Sequence, residues 1–201
     1  MAYTKEQIET AVKAKDYKWF ENGDYNLNII GVRNSSTNNE VTNKFDDKLT
    51  VSYKKEGEWK FFCFDCTTDP GDDWMDNSMN SKGCAILKPG QYRSSHKIRL
   101  HGGKYEALGQ QKPVTVYRDR DKDGKYDFDE ATTDTGVFGI NIHRATKYAG
   151  KKSTNIDKWS AGCQVIAAND DFETFMKICR KAREVWSNSF TYTLIESNDI
   201  S

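Results

Sequence analysis

The sequence predicts a mainly β protein of the α+β class, folded as a single domain over residues 1–201 with one helix near each end. Short apolar and aromatic runs recur at even intervals between Gly, Pro and Asn turns, which is typical of an antiparallel sandwich or barrel. Two stretches repeat apolar residues with a helical period. No linker, internal repeat or low-complexity segment divides the chain, and its length suits one core better than two.

The first helix is predicted over residues 4–20. Thr4 and Gln7 have the spacing of a capping box, in which each side chain binds the other residue's backbone N–H. Asn22-Gly23 would end the helix. Its apolar residues fall roughly on one face: Ile8, Ala11, Val12 and Trp19.

Strands are predicted at residues 26–32, 49–53 and 59–64, the last two as a hairpin. A helix is predicted next to Asp170, with Glu173 completing its cap. The remaining predicted strands are short and lie around residues 85–87, 91–92, 98–100, 114–117, 136–143 and 190–195.

Composition narrows the class of protein. The formal net charge is zero and no long Lys/Arg run occurs, which argues against binding nucleic acid through phosphate contacts. No window is apolar enough for membrane insertion. Residues 1–23 contain no secretory signal, so we expect synthesis in a cytoplasm. Five cysteines, an odd number, leave at least one unpaired thiol.

The segment Ser160-Ala161-Gly162-Cys163 carries the strongest chemical signal. His143 precedes it, with sixteen residues between His143 and Ser160, and the chain has only three histidines. A thiol needs a base to become a nucleophile, and an adjacent imidazolium lowers a cysteine pKa. A turn of small residues can direct backbone N–H groups at an oxyanion. The alternative is a buried structural cysteine and an unrelated histidine.

This arrangement resembles the L,D-transpeptidase family, in which a His is followed, after a similar spacer, by Ser/Thr-His-Gly-Cys. His143 and residues 160–163 meet that pattern at all but one position. The similarity extends over roughly residues 84–196, through Asn169-Asp170 and the helix and strand that follow. It implies a β-rich catalytic region at 84–201 on an L,D-transpeptidase-like fold. Residues 1–83, a helix and a hairpin region, have no assigned role.

The resemblance implies a cysteine enzyme that acts on the stem peptides of bacterial peptidoglycan. Cys163 would attack an amide carbonyl to form a thioacyl-enzyme, and His143 would transfer the thiol proton. Backbone N–H groups of the small-residue turn would hold the oxyanion, with support from Ser160, Ala161 and Gly162. No cofactor is needed for this chemistry.

Two nearby side chains are candidates for substrate binding. Arg144 could attract a substrate carboxylate, and the alternative is an ordinary surface charge. His101 could line the cleft or replace the missing signature His, and the alternative is a loop histidine.

The chain departs from the family at two positions, where Ala161 replaces a His and Val165 replaces a polar residue. We expect hydrolysis rather than cross-linking. Because no export signal is visible, we expect a phage endolysin, made in the host cytoplasm and released to the cell wall. The alternatives are a synthetic L,D-transpeptidase and a non-catalytic, calcium-stabilised wall-binding or virion-structural module.

Residues 119–130 match the pattern of a twelve-residue Ca²⁺ loop, with alternating oxygen ligands and a central Gly. A predicted strand precedes the loop, so a full helix–loop–helix hand is not expected. The sequence predicts a structural Ca²⁺ site, and the alternative is a plain acidic turn. The candidate ligands are Asp119, Asp121, Asp123, the carbonyl of Lys125, Asp127 and Glu130.

Overall fold

The computed structural model of the protein describes residues 3–78, 80–121 and 123–200. This part of the chain is mainly β. Its α-helices are α1 (Lys5–Ala14), α2 (Asp72–Asp76) and α3 (Asn169–Val185). Its strands are β1 (Asn28–Arg33), β2 (Asp47–Lys55), β3 (Glu58–Thr67), β4 (Cys84–Leu87), β5 (Gly90–His101), β6 (Tyr105–Gln110), β7 (Val114–Asp119), β8 (Asp134–Gly136), β9 (Ile142–Arg144), β10 (Gln164–Ile166) and β11 (Phe190–Glu196).

Eight strands close into a barrel in the order β1-β11-β5-β6-β9-β10-β3-β2, and β4-β7-β8 form a separate small sheet. Neighbouring barrel strands are antiparallel except for β1 with β11 and β9 with β10. The prediction of a mainly β, mostly antiparallel fold is confirmed. A sandwich flanked by helices is not, because the large sheet closes on itself.

The barrel combines strands from both parts of the chain. β1, β2 and β3 come from residues 1–83, and they pair with strands from the region after residue 84. The parallel pairing of β1 with β11 joins the two ends of the sequence. The first 83 residues therefore supply three of the eight barrel strands, a role that the sequence did not indicate.

Helix α1 begins as predicted and ends earlier. The Thr4 hydroxyl accepts from the Gln7 N–H at 3.2 Å, and the Gln7 side chain accepts from the Thr4 N–H at 3.1 Å, which is a capping box. The prediction that the helix continues to residue 20 is wrong, because Asp16 adopts a left-handed conformation with φ 57°. Trp19 still packs into the α1 cluster from beyond the helix.

Helix α3 shares the main hydrophobic core with the inward-facing residues of the barrel. The predicted Asp170 cap is wrong: the helix starts at Asn169, and the Asp170 carboxylate accepts from the Gly150 N–H at 3.1 Å instead. Trp186, which has the helical spacing of the apolar residues before it, lies beyond the end of the helix and is 54% exposed. Within the described chain, none of the helices has the length and apolar character to span a bilayer.

The single strand predicted over residues 136–143 is two short strands, β8 and β9. Between them, the side-chain oxygen of Gln110 accepts hydrogen bonds from the backbone N–H groups of Phe138, Gly139 and Ile140 at 3.1, 2.9 and 2.9 Å. A side chain thus takes the place of a strand partner. His143 consequently lies in the middle of β9 and not at the end of a long strand.

A buried ion pair joins the barrel to the segment that precedes α2. The Arg33 guanidinium contacts the Asp69 carboxylate at 2.7 and 2.9 Å and donates to the Leu87 carbonyl at 2.8 Å. Both side chains are almost fully buried. Asp47 lies close by, and burial, reinforced by the charge of Asp69, raises the pKa of Asp47 to about 7. The Arg33 guanidinium therefore supplies the positive charge in a buried region that contains both Asp69 and Asp47.

We predict that Asp69→Asn lowers the free energy of unfolding by about 3 kcal/mol, because it leaves the buried Arg33 charge uncompensated. Urea denaturation followed by tryptophan fluorescence measures the change. Glu184→Gln, which breaks the exposed pair with Lys181, should leave the unfolding midpoint where it is. Equal midpoints for the two variants would show that the buried pair has no special role.

Candidate active site

Cys163 and His143 lie on one face of two adjacent parallel strands. β9 and β10 are paired with Val165 opposite His143. Cys163 directly precedes β10 and packs against the same cluster as Val165, so it lies on the side of the sheet that His143 also faces. The same register puts Cys163 level with Asn141, whose carbonyl accepts from the Gln164 N–H at 2.8 Å. The structure thus brings the two predicted catalytic residues to one surface of the barrel.

Residues 160–163 are called the nucleophile turn after the role predicted for Cys163. The side chain of Ser160 stabilises this turn. The Ser160 hydroxyl donates to the Cys163 carbonyl at 2.8 Å and accepts from the Gly162 N–H at 3.1 Å. Gly162 has φ 117°, and a Cβ there would lie 2.3 Å from the Ala85 carbonyl oxygen. Only glycine fits this turn.

The oxyanion donors differ in part from those predicted. The Gly162 N–H already donates to the Ser160 hydroxyl. Ser160 and Gly162 therefore stabilise the turn and do not offer a free donor to an oxyanion. Neither the Cys163 N–H nor the Ala161 N–H has a hydrogen-bond partner within the described chain, so both are available as backbone donors at this turn. Ala161, half-buried at the tip of the turn, lines a recess of about 350 Å³ together with Arg118 and Phe138.

The Cys163 thiol is half-buried and protonated at rest. Its Sγ donates to the Gly139 carbonyl at 3.2 Å. Burial raises the pKa of this thiol to about 11, and the Asn141 N–H offsets only part of the increase. The expectation that a nearby imidazolium lowers this pKa is therefore wrong, because the desolvation cost of the thiolate dominates.

His143 is suited to act as a neutral base. Its Nδ1 lies 3.0 Å from the Arg144 carbonyl, which requires a proton on Nδ1 and leaves the lone pair on Nε2. The residue is 4% exposed. Burial, with a smaller contribution from His101, lowers the pKa of His143 to about 4, so the ring is uncharged at neutral pH. A base oriented by a third group is the arrangement that activates nucleophiles.

His101 belongs to the same site. Its ring stacks on that of His143, with centroids 4.3 Å apart and an interplanar angle of 21°. It also lies against Tyr105 with centroids 5.5 Å apart, and its Nδ1 is 3.4 Å from the Asn141 amide nitrogen. His101 and Asn141 line a second recess of about 260 Å³. The position of His101 favours the predicted cleft role over that of an isolated loop histidine.

Two residues of the site were not anticipated from the sequence, Tyr105 and Asn141. Gly102-Gly103 forms the turn of the β5–β6 hairpin and sets His101 opposite Tyr105. A two-glycine turn is a hairpin signal that could have identified Tyr105. Asn141 precedes a three-residue strand, and nothing local in the sequence marks it.

Arg144 is held by the protein itself. Its guanidinium lies 4.2 Å from the Tyr105 ring centroid and contacts Asn169 at 3.1 Å and Glu173 at 3.3 Å. The sequence suggested that Arg144 attracts a substrate carboxylate. In the structure, Glu173 already pairs with the positive charge of Arg144. Arg144 anchors α3 to β9 beside the site.

The acidic loop lies apart from the nucleophile turn, and the structure assembles part of the predicted metal set. Carboxylate oxygens of Asp119, Asp121 and Asp127 lie within 4.8 Å of one another. Asp123 instead accepts from the Lys125 N–H at 2.9 Å. The Glu130 side chain bonds with Lys88 and with the Tyr117 hydroxyl, because Glu130 begins a short 3₁₀ turn that directs it away from the cluster.

We predict that His143→Gln slows alkylation of Cys163 by iodoacetamide at pH 7 by roughly 10-fold or more, because a general base no longer accepts the thiol proton. Since the pKa of His143 is lowered to about 4, the parent rate should persist at pH 5 and decline only near pH 4. Cys63, also half-buried, serves as the internal reference in peptide mass spectrometry. An equal slowing at Cys63 would show that the effect is not specific to Cys163 and would contradict the role of His143 as its base.

We predict that Gly162→Ala destabilises the protein by about 2 kcal/mol or more, because it adds a clash to a strained backbone. Gly150→Ala is the matched control: Gly150 has φ 68° and open space around its Cβ position. It should cost about 1 kcal/mol from conformation alone. Chemical denaturation of both variants gives the comparison, and similar values would contradict the tight contact with Ala85.

Comparison with protein-family models, with curated proteins and with solved structures finds no match to this chain. The similarity to L,D-transpeptidases therefore rests on the sequence pattern of His143, the nucleophile turn and the segment that follows it.

Proposed function

We propose that this protein is a cysteine-dependent hydrolase of peptidoglycan stem peptides, acting through a thioacyl-enzyme. One observation carries the proposal: a half-buried thiol at the start of β10 and an oriented neutral imidazole on β9 lie on the same side of two hydrogen-bonded strands. A cysteine with a purely structural role would not require a histidine base on the neighbouring strand. It would also not require the Arg144 carbonyl to fix the tautomer of that histidine.

The first half-reaction forms a thioester. Sγ of Cys163 attacks the carbonyl carbon of the scissile amide while its proton passes to Nε2 of His143. The oxyanion is stabilised by the Cys163 N–H, a backbone donor without a partner in the described chain. As the C–N bond breaks, His143 returns the proton to the leaving amine nitrogen. Each atom and charge is then accounted for, and the imidazole is neutral again.

The second half-reaction releases the acid. Water attacks the thioester carbon, His143 accepts the water proton, and the sulfur leaves and regains a proton from His143. In both halves proton transfer accompanies bond formation, because burial keeps the thiol and the imidazole neutral at rest. This differs from a preformed thiolate–imidazolium pair. Sγ must also exchange its hydrogen bond to Gly139 for one to His143, an adjustment that substrate binding can drive.

The substrate class follows from the resemblance and is compatible with the surroundings of the thiol. The pattern of His143 and the nucleophile turn resembles enzymes of peptidoglycan stem peptides. Recesses of about 350 and 260 Å³ flank it, lined on one side by Ala161 and on the other by His101 and Asn141. Both mix polar and apolar groups, as an extended peptide with amide and carboxylate groups requires.

Cross-linking is the second candidate function, and two separate recesses beside the turn also suit it. If one recess holds the acyl donor, the other can hold an amine that competes with water for the thioester. Ala161, where the family has a His, widens the recess on its side of the turn. The products distinguish the two reactions, since hydrolysis shortens stems and transfer joins them.

We predict that Cys163→Ala abolishes release of shortened muropeptides from purified sacculi while the unfolding midpoint stays close to that of the parent. Liquid chromatography with mass spectrometry identifies the products. Cys63→Ala is the matched control, because Cys63 is also a free, half-buried thiol, and it should retain full activity. New cross-linked products from the parent would select transfer, and an inactive parent would leave a wall-binding module as the better explanation.

A further inference from the structure

The acidic loop between β7 and β8 contains a buried carboxylate without a partner. Asp119, the last residue of β7, is 1% exposed. Neither of its carboxylate oxygens has a hydrogen-bond partner in the part of the chain that the structure describes. Burying an ionised carboxylate without compensation is costly, and proteins otherwise pair such groups or use them to bind metals. Asp119 therefore indicates a missing positive group.

Two further carboxylates converge on Asp119. Oxygens of Asp119, Asp121 and Asp127 lie within 4.8 Å of one another. Two oxygens that share one Ca²⁺ at about 2.3–2.6 Å lie at most about 5 Å apart, so this cluster has the dimensions of a Ca²⁺ ligand set. Burial, together with the charges of Asp127, Asp121 and Asp123, raises the pKa of Asp119 to about 6. The carboxylates repel one another in the absence of a cation.

The backbone of the loop is held in place from outside. The Tyr126 N–H donates to the Asn39 carbonyl at 2.7 Å, and the Val41 N–H donates to the Gly124 carbonyl at 3.2 Å. Gly124 has φ 83°, as the sharp turn of a cation loop requires. The loop is thus fixed with its carboxylates together, although they repel one another.

We propose that Asp119, Asp121 and Asp127 bind one structural Ca²⁺ ion, with water and backbone oxygens completing the coordination. Ca²⁺ accepts irregular oxygen sets, whereas Mg²⁺ demands near-octahedral geometry at shorter distances. Glu130 is not a ligand, which separates this site from the twelve-residue loop of helix–loop–helix hands. A second acidic group, Asp72, Asp73 and Asp157, has no buried, unpartnered carboxylate and carries no such inference.

The ion would connect the loop to the candidate active site through β7. Arg118, beside Asp119, places its guanidinium 4.6 Å from the Phe138 ring centroid and contacts Asp134 at 3.2 Å. Phe138 precedes Gly139, whose carbonyl accepts from the Cys163 thiol. A cation at Asp119 would therefore stabilise the wall of the recess on the Ala161 side.

Calorimetric titration of the full chain, first treated with EDTA, with CaCl₂ alone tests the proposal. Differential scanning fluorimetry should show Tm rising by about 5 °C in about 5 mM CaCl₂. Asp119→Asn and Asp121→Asn should each weaken Ca²⁺ binding at least about 10-fold. In EDTA, Asp119→Asn should be no less stable than the parent, because it removes a buried unpaired charge.

Asp129→Asn is the matched control. It removes the same charge from the same loop, and an amide can still accept the hydrogen bond from the Ala131 N–H, so Ca²⁺ affinity should be retained. A parent with neither binding heat nor a Tm shift would overturn the proposal. So would equal losses in Asp121→Asn and Asp129→Asn. A Tm rise in MgCl₂ as large as that in CaCl₂ would overturn the assignment to calcium. These readouts do not involve Cys163 and stand apart from the proposed hydrolysis.

Discussion

The buried ion pair between Arg33 and Asp69 is the constraint from which the geometry of the candidate active site follows. Asp69 fixes residues 67–71, and this segment binds the nucleophile turn on both sides. The Gly71 N–H donates to the Ser160 carbonyl at 2.9 Å, and the Gln164 amide donates to the Thr68 carbonyl at 3.2 Å. Ser160 and Gln164 are buried, so water does not compete for these hydrogen bonds and they keep the turn in one conformation.

Local sequence patterns predicted the elements whose stabilising contacts are also local. The capping box of α1 and the β2–β3 hairpin are examples, since their partners lie a few residues apart. The elements that escaped prediction depend on distant partners: β10 pairs in parallel with β9, and residues 138–140 bind Gln110 from another strand. A three-residue strand has no periodicity to detect, and a side chain that replaces a strand partner leaves no pattern.

The candidate site was predictable in its residue types and not in its electrostatics. The family resemblance predicted that His143 and Cys163 belong to one site, whereas their spacing alone also allowed a structural cysteine and an unrelated histidine. The protonation state depends on burial by side chains from many elements, and burial raises the pKa of Cys163 while it lowers that of His143. For the same reason, the engagement of Arg144 by Glu173 could not be foreseen.

The parallel pairing of β1 with β11 determines when the candidate site forms during folding. β1 ends at Arg33 and β11 begins at Phe190, and contacts of such high sequence separation form slowly. Inside the closed barrel, the Tyr192 hydroxyl of β11 donates to the Gln164 side chain at 2.5 Å, immediately after the sulfur-bearing residue. A folding chain therefore lacks an aligned Cys163 until β11 docks, so formation of the candidate site is coupled to closure of the barrel.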